Sequence, residues 1–253
     1  MKRAAHRGQL RRHPRGGYAR GVRTRRRIIE TAIEMFAASG YEETSTRAIA
    51  RRARVSLPAL QYYFGSKAGL HRACATHVTD DTAERLAPAA AEVRRALGTA
   101  RLSRRELLRL LRSVIDPLLE AMATDRPESW VLFFTRAQSG HTPATDVILK
   151  RMAGPLIELC AEIIGRILHR PPSDPEVRVR TVSLIGQIAM VRRGRPLVLH
   201  ALEWRDFEGA RLEILKGALW RGIEASLVRT RLPRRRAQLK TSVPRGRRLG
   251  SAA

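Results

Sequence analysis

The sequence predicts an all-α fold, a small N-terminal bundle of short helices followed by a larger helical bundle. Three observations carry this reading. Apolar residues recur three and four positions apart along most of residues 24–228, and no stretch alternates convincingly with a period of two. Gly40, Gly65, Gly140, the Pro171-Pro172 pair and Gly194 punctuate the periodic stretches, as helix ends require. Finally, 43% of the residues are apolar, enough for a core of ordinary size in a chain of 253.

The first helix is expected over residues 24–39, where Ile28, Ile29, Ala32, Ile33 and Phe36 share one face and Gly40 suits a left-handed C-terminal cap. Thr44 or Ser45 then caps a short second helix with Ile49, Ala50 and Ala53 inward and Arg47, Arg51 and Arg52 outward. A three-residue break (Arg54, Val55, Ser56) precedes a third helix over 57–64, with Pro58 in its first turn, where a missing N–H costs nothing. Gly65 ends it, and Ser66 caps a fourth helix through Leu70, Ala73 and Val78. Residues 104–122 carry so wide an apolar surface that a mostly buried helix follows, bent at Pro117. Further helices are expected over 128–136, 144–168, 175–192 and 207–228.

The charge is unevenly placed. Lys and Arg total 49 against 23 Asp and Glu, a formal net charge of +26 with a pI near 11.7. Residues 1–27 hold 11 basic side chains and residues 229–253 hold 9, with no acid in either, so residues 28–228 keep 29 basic against 23 acidic groups. A moderately basic body therefore carries two cationic tails, 1–22 and 229–253, both expected to be disordered. Three explanations fit the tails: arms that follow DNA phosphates or enter the minor groove, non-specific polyanion binding, or, for the first, an over-extended start.

Several classes fall away. The longest uncharged runs, 55–66 and 181–191, are 12 and 11 residues, too short to span a bilayer, so no membrane partner is expected. The N-terminus lacks the apolar stretch of a secretory signal. Cys74 and Cys160 make no disulfide framework, and no His or Cys pair has zinc-ligand spacing. The expectation is a cytoplasmic protein with inert thiols and no metal. Paired carboxylates, a nucleophile elbow and a phosphate-cradling glycine loop are all lacking, so neither an enzyme nor a cofactor is expected.

Helix, three-residue turn, helix over 44–64 is the geometry of a helix-turn-helix, whose tight turn projects one helix into the major groove. Arg47, Arg51, Arg52, Arg54 and Lys67 flank the unit where phosphates would lie. The third helix is itself uncharged; Ser56, Gln61, Tyr62 and Tyr63 are candidate readers, with Leu57, Pro58 and Ala59 available to thymine methyls. Tyr62 or Tyr63 can equally be packing residues.

Three runs together resemble the N-terminal domain of TetR-family transcriptional regulators over residues 24–70: Ala32, Phe36, Gly40 and Tyr41; Thr44 to Ala50 as T-S-x-R-x-I-A; and Tyr62 to Lys67 as Y-Y-F-G-S-K. The resemblance implies that Thr44, Ser45, Thr46 and Arg47 meet phosphate, that Ser56, Leu57, Pro58, Ala59, Gln61 and Tyr62 face the groove, and that Lys67 meets the backbone. Arg54 departs from the family by standing where Gly is usual. Leu57-Pro58 and Gln61 replace the commoner basic-Gly and Tyr. The implied domains are a helix-turn-helix domain over 23–82 and an effector-binding and dimerisation domain over 83–228.

Phe133 to Arg136, the segment around Pro143, Pro155-Leu156, Leu184 to Gln187 with Arg192, and His200 to Trp204 resemble the CerR-type C-terminal domain of a TetR subgroup. This implies a homodimer and a small-molecule effector, and with them a repressor released from a double-stranded DNA operator. The stripe Leu212, Leu215, Leu219 and Ile223, with small residues beside it, is the expected dimer interface, the alternative being intramolecular core. Trp130, Phe133, Phe134, Arg136, Met152, Gln187 and Met190 are the candidate effector-pocket residues, again against a plain core role. A second class stays open, a nucleoid-type polyanion-binding protein driven by the tails.

Overall fold

A computed structural model describes residues 15–99 and 101–227. Among them, eleven α-helices and one π-helical turn follow one another without a strand. They are α1 (Arg15–Glu43), α2 (Thr46–Arg52), α3 (Leu57–Phe64), α4 (Lys67–Thr99), α5 (Arg104–Ala123), α6 (Glu128–Gln138), α7 (Pro143–Ile148), α8 (Gly154–Leu168), α9 (Pro175–Arg193), α10 (Arg195–Ala201) and α11 (Ala210–Ser226). The all-α expectation holds, and no described helix is long and apolar enough to cross a membrane.

The differences have local causes. Residues 15–22, expected in a disordered tail, form the first turns of α1. Extending an existing helix adds one hydrogen bond per residue fixed, and a Cβ on Gly21 would lie 3.6 Å from the Tyr63 hydroxyl, so the extension runs beside α3. The rest of that tail and residues 229–253 lie outside the described residues. Helix α4 passes unbroken through the boundary expected at 82–83. The single helix expected over 144–168 is split by a π-helical turn, Leu149–Ala153. Pro155 follows in the first turn of α8, and a proline ring and its missing N–H are accommodated by such a bulge. Helix α10 was not anticipated.

Two apolar clusters form. One joins Leu111, Ile115 and Leu119 of α5 to Ile163 and Ile167 of α8, Leu184 and Ile188 of α9 and Trp220 and Ile223 of α11. The other joins Ile28, Ile33 and Phe36 of α1, Ile49 of α2, Leu60 of α3 and Leu70 of α4 to Phe133 and Ala137 of α6 and Ala144 and Ile148 of α7. Helices α6 and α7, from the far side of the expected boundary, thus complete the core of the N-terminal unit. Both thiols are buried, Cys74 among the N-terminal helices and Cys160 in α8. Burial pushes the Cys160 thiol up to about 12 and raises Cys74 as well, in keeping with inert roles.

Candidate nucleic-acid interface

Helix α1 is interrupted at Gly40, whose φ of 82° lies in the left-handed region that favours glycine. A Cβ there would also approach the Arg136 Nη1 to 3.3 Å. Arg136 donates from Nη2 to the Ala38 carbonyl at 3.2 Å, so an α6 cation satisfies the end of α1. Thr44 is buried, and its hydroxyl donates to the Gly40 carbonyl at 2.7 Å. The side chain fastens the corner between α1 and α2, so its hydroxyl is already engaged where a phosphate contact is expected.

Ser45 and Ser56 cap α2 and α3, their hydroxyls accepting from Ala48 N and Ala59 N, both at 3.2 Å. In the turn, Arg54 has φ 52°, so the left-handed geometry is kept without glycine. Val55 N donates to the Ala50 carbonyl at 3.0 Å, and the Val55 side chain packs on the N-terminal core. Arg27 Nε donates to the Ala53 carbonyl at 3.0 Å, and Arg52 pairs with Glu34 at 3.1 Å, so α1 holds α2 from two sides. Behind α3, Gly69 is obligatory for space: a Cβ there would meet the Phe64 carbonyl oxygen at 2.0 Å.

The remaining expected contact residues share this unit. Ser45, Arg47, Ser56, Pro58, Gln61 and Tyr62 are exposed, while Thr46, Leu57, Ala59 and Lys67 are half-buried. Tyr62 is 85% exposed, which rules out a packing role, whereas Tyr63 and Phe64 pack on the core. Lys67 Nζ donates to the Glu42 carbonyl at 2.9 Å and lies 4.6 Å over the Tyr41 ring. Among the described residues, Arg47, Arg51 and Arg54 carry no ion pair. The result is a neutral helix face flanked by unpaired guanidinium groups, suited to groove edges at the centre and phosphates at the margin.

A second feature lies behind α6, a cavity of about 460 Å³ bounded by α4 to α9. Trp130, Phe134 and Met152 line it as expected. Four other expected pocket residues do not. Phe133 points the opposite way into the N-terminal core, 5.1 Å from the His71 ring, because it lies on the other side of α6. Arg136 is the α1 cap described above. Gln187 and Met190 are exposed on the outer face of α9. Sequence reasoning missed Arg126 and Arg192, which line the cavity and whose charge was the available signal.

The expected dimer stripe lies largely toward the chain's own core. Leu212, Leu215 and Leu219 pack against the chain's own core, and Ile223 is buried in it. What α11 presents outward is Ile214, Ala218, Gly222 and Ala225; α9 presents Val179, Val182, Ser183, Gly186 and Met190, of which Val182 and Gly186 also lie at the rim of the cavity. An apolar residue on each face of α11 makes periodicity alone unable to tell inner from outer.

Residues 28–74 match the family model for bacterial regulatory proteins of the tetR family. Residues 107–227 match that for the C-terminal domain of the HTH-type transcriptional dual regulator CecR. The chain is 26% identical over 196 residues to CecR of Shigella flexneri, covering 78% of this chain and 87% of that one. A TetR-like regulator from Rhodococcus sp. RHA1 has a similar fold, with TM-score 0.53 and 24% identity over 84% of this chain and 99% of that one. AibR, solved with isovaleryl coenzyme A and operator DNA, superposes with TM-score 0.51 at 17% identity, over 78% of this chain and 96% of that one. A helix-turn-helix with its supporting helix, and a C-terminal bundle of the CecR type (the CerR-type resemblance above), place this chain in the TetR family of transcriptional regulators.

Proposed function

We propose that the protein is a homodimeric repressor that binds an operator through α3 and leaves it when a small molecule fills the cavity behind α6. The observation that carries the reading is the double use of α6. Trp130, Phe134 and Gln138 face the cavity, while Phe133 and Ala137 are part of the core that holds α1 to α4. A ligand that displaces α6 therefore moves the base on which the reading helix stands. Release follows if the displaced state no longer matches the half-site spacing, because a ligand shifts only those equilibria between whose states it discriminates.

Dimerisation supplies what one unit lacks, since a single helix-turn-helix reads few base pairs and a two-fold pair reads two half-sites a helical turn or a multiple apart. The outward apolar and small residues of α9 and α11 support it, forming one continuous stripe on each helix. In AibR the same fold holds an acyl thioester and an operator together, which is consistent with this division of labour. The dual role in the name of the Shigella relative favours a second reading, activation at some promoters.

Footprinting of selected genomic fragments with competitor DNA at physiological salt tests the proposal. The expected result is a near-palindromic protected site that survives deletion of residues 1–14 and 229–253. Uniform binding that vanishes with salt or with those tails overturns it in favour of a polyanion-binding protein. A reporter driven by the protected promoter then gives the sign of regulation.

A further inference from the structure

The cavity is mostly apolar, but its charged lining is all of one sign. Arg126, Arg192 and Arg193 line it, and no Asp or Glu does among the described residues. The nearest acids are already engaged or in water. Asp81 accepts from both Arg126 and Arg85; burial pushes its carboxyl up, and the two guanidinium groups outweigh that and hold it below the usual carboxylate range. Asp125 is 86% exposed and lies 3.9 Å from Arg195 Nε.

Arg192 is the least satisfied of these cations. One of its terminal nitrogens donates to the Ala121 carbonyl at the end of α5, while its Nε is buried without a hydrogen-bond partner. Burial first, and then Arg126 and Arg195, push its guanidinium down to about 10. A half-buried guanidinium with like charges beside it and a buried, unused Nε–H costs stability unless an anion completes the site. A carboxylate fits that need, because its two oxygens match the planar guanidinium fork. Met122, Trp130, Phe134, Ile148, Met152 and Ile185 supply an apolar wall for the rest of the molecule.

We infer that the cavity takes an amphipathic organic carboxylate, its apolar body among the α5–α9 side chains and its head group on Arg192, with Arg126 beside it. The inference rests on reading the cavity as the effector site. A cationic ligand would meet three arginines and no acid among the described lining residues, and a neutral one could accept a hydrogen bond from Arg192 but would leave the excess positive charge of the lining uncompensated.

Calorimetric titration of the full chain, free of DNA, with decanoate, 1-decanol and decanamide at neutral pH tests it. Decanoate is expected to bind at least about tenfold more tightly than either neutral analogue, and Arg192→Met to remove that preference, weakening decanoate about 10–100-fold. The alcohol's affinity is expected to be unchanged by the substitution, which shows that the cavity still folds. Equal or tighter binding of the alcohol by the unaltered protein overturns the assignment, as does a preference that survives Arg192→Met or the absence of decanoate binding. The footprint separates the two readings. Arg192-dependent decanoate binding that leaves operator protection intact supports the carboxylate site and removes its role as the release switch. Operator protection with no carboxylate preference does the reverse.

Discussion

Arg54 occupies a backbone conformation with φ 52° in the turn between α2 and α3, a region in which a side chain costs of order 1 kcal/mol. The turn nonetheless closes as it would with glycine, since Arg54 N and Val55 N donate to the Arg51 and Ala50 carbonyls at 3.1 and 3.0 Å. The strain is retained at an exposed position beside Arg47 and Arg51, which carry no ion pair among the described residues, and under the proposed function a cation there would serve phosphate binding. Arg54→Gly is therefore expected to raise stability by about 0.5–1 kcal/mol in thermal unfolding. The same variant should flatten the log–log salt dependence of DNA binding by about 0.9. A lower melting temperature would refute the strain argument, and an unchanged slope would remove Arg54 from the phosphate contacts.

Two helices of the C-terminal bundle show how an element divides its faces. On α11, Leu215 and Leu219 pack inward while Ile214 stands 59% exposed; on α9, Leu184 and Ile188 are buried while Val179 stands 64% exposed. Outward β-branched residues beside Gly186, Ala218 and Gly222 leave helices that a second copy can approach closely. Val179→Glu combined with Ile214→Glu is expected to convert the proposed dimer to monomer in sedimentation velocity with the helical circular dichroism retained. Operator affinity should fall with the lost half-site. Leu219→Ala is expected to behave oppositely, lowering stability by about 2 kcal/mol while sedimenting as the unaltered chain. A double variant that still sediments as a dimer would place the interface elsewhere.

At the scale of the whole molecule, His71 ties the two parts together. It sits at the start of α4, its ring 4.6 Å from those of Phe36 and Tyr41 and 5.1 Å from that of Phe133, and its Nδ1 accepts from Ala144 N at 3.2 Å. Burial, and then the Lys67 charge, hold its pKa down at about 4. Protonation would turn the accepting nitrogen into a donor facing the Ala144 N–H, so the charged form is disfavoured twice over. The folded-state value lies below the unfolded value near 6.5, and unfolding therefore takes up a proton between the two. The contribution to stability is complete above about pH 6.5 and is lost as the pH falls toward 4, a change of order 3 kcal/mol. Urea unfolding across that range should show the loss, and His71→Gln, which keeps an acceptor and cannot titrate, should remove this part of it. An unchanged pH profile in the variant would mean that other groups govern the acid response.

Helical periodicity, the glycine and proline breaks and the three N-terminal motifs determined the fold class, the helix-turn-helix and most of its exposed residues. These are local properties. Ser45 and Ser56 cap the helices that follow them, and Gly40 takes its positive φ, because those roles depend on neighbours a few residues away. Thr44 shows the limit: its hydroxyl bonds to the corner because the helix breaks at Gly40 and the residue behind the break is buried. The tertiary structure alone decided which apolar face of α11 points inward, that Phe133 and Arg136 serve the N-terminal unit, and that Arg126 and Arg192 meet at one cavity. In each case the deciding neighbour is distant in sequence, 98 residues for Arg136 and Ala38 and 71 for Arg192 and Ala121. Periodicity gives the faces of a helix, and only packing assigns each face its partner.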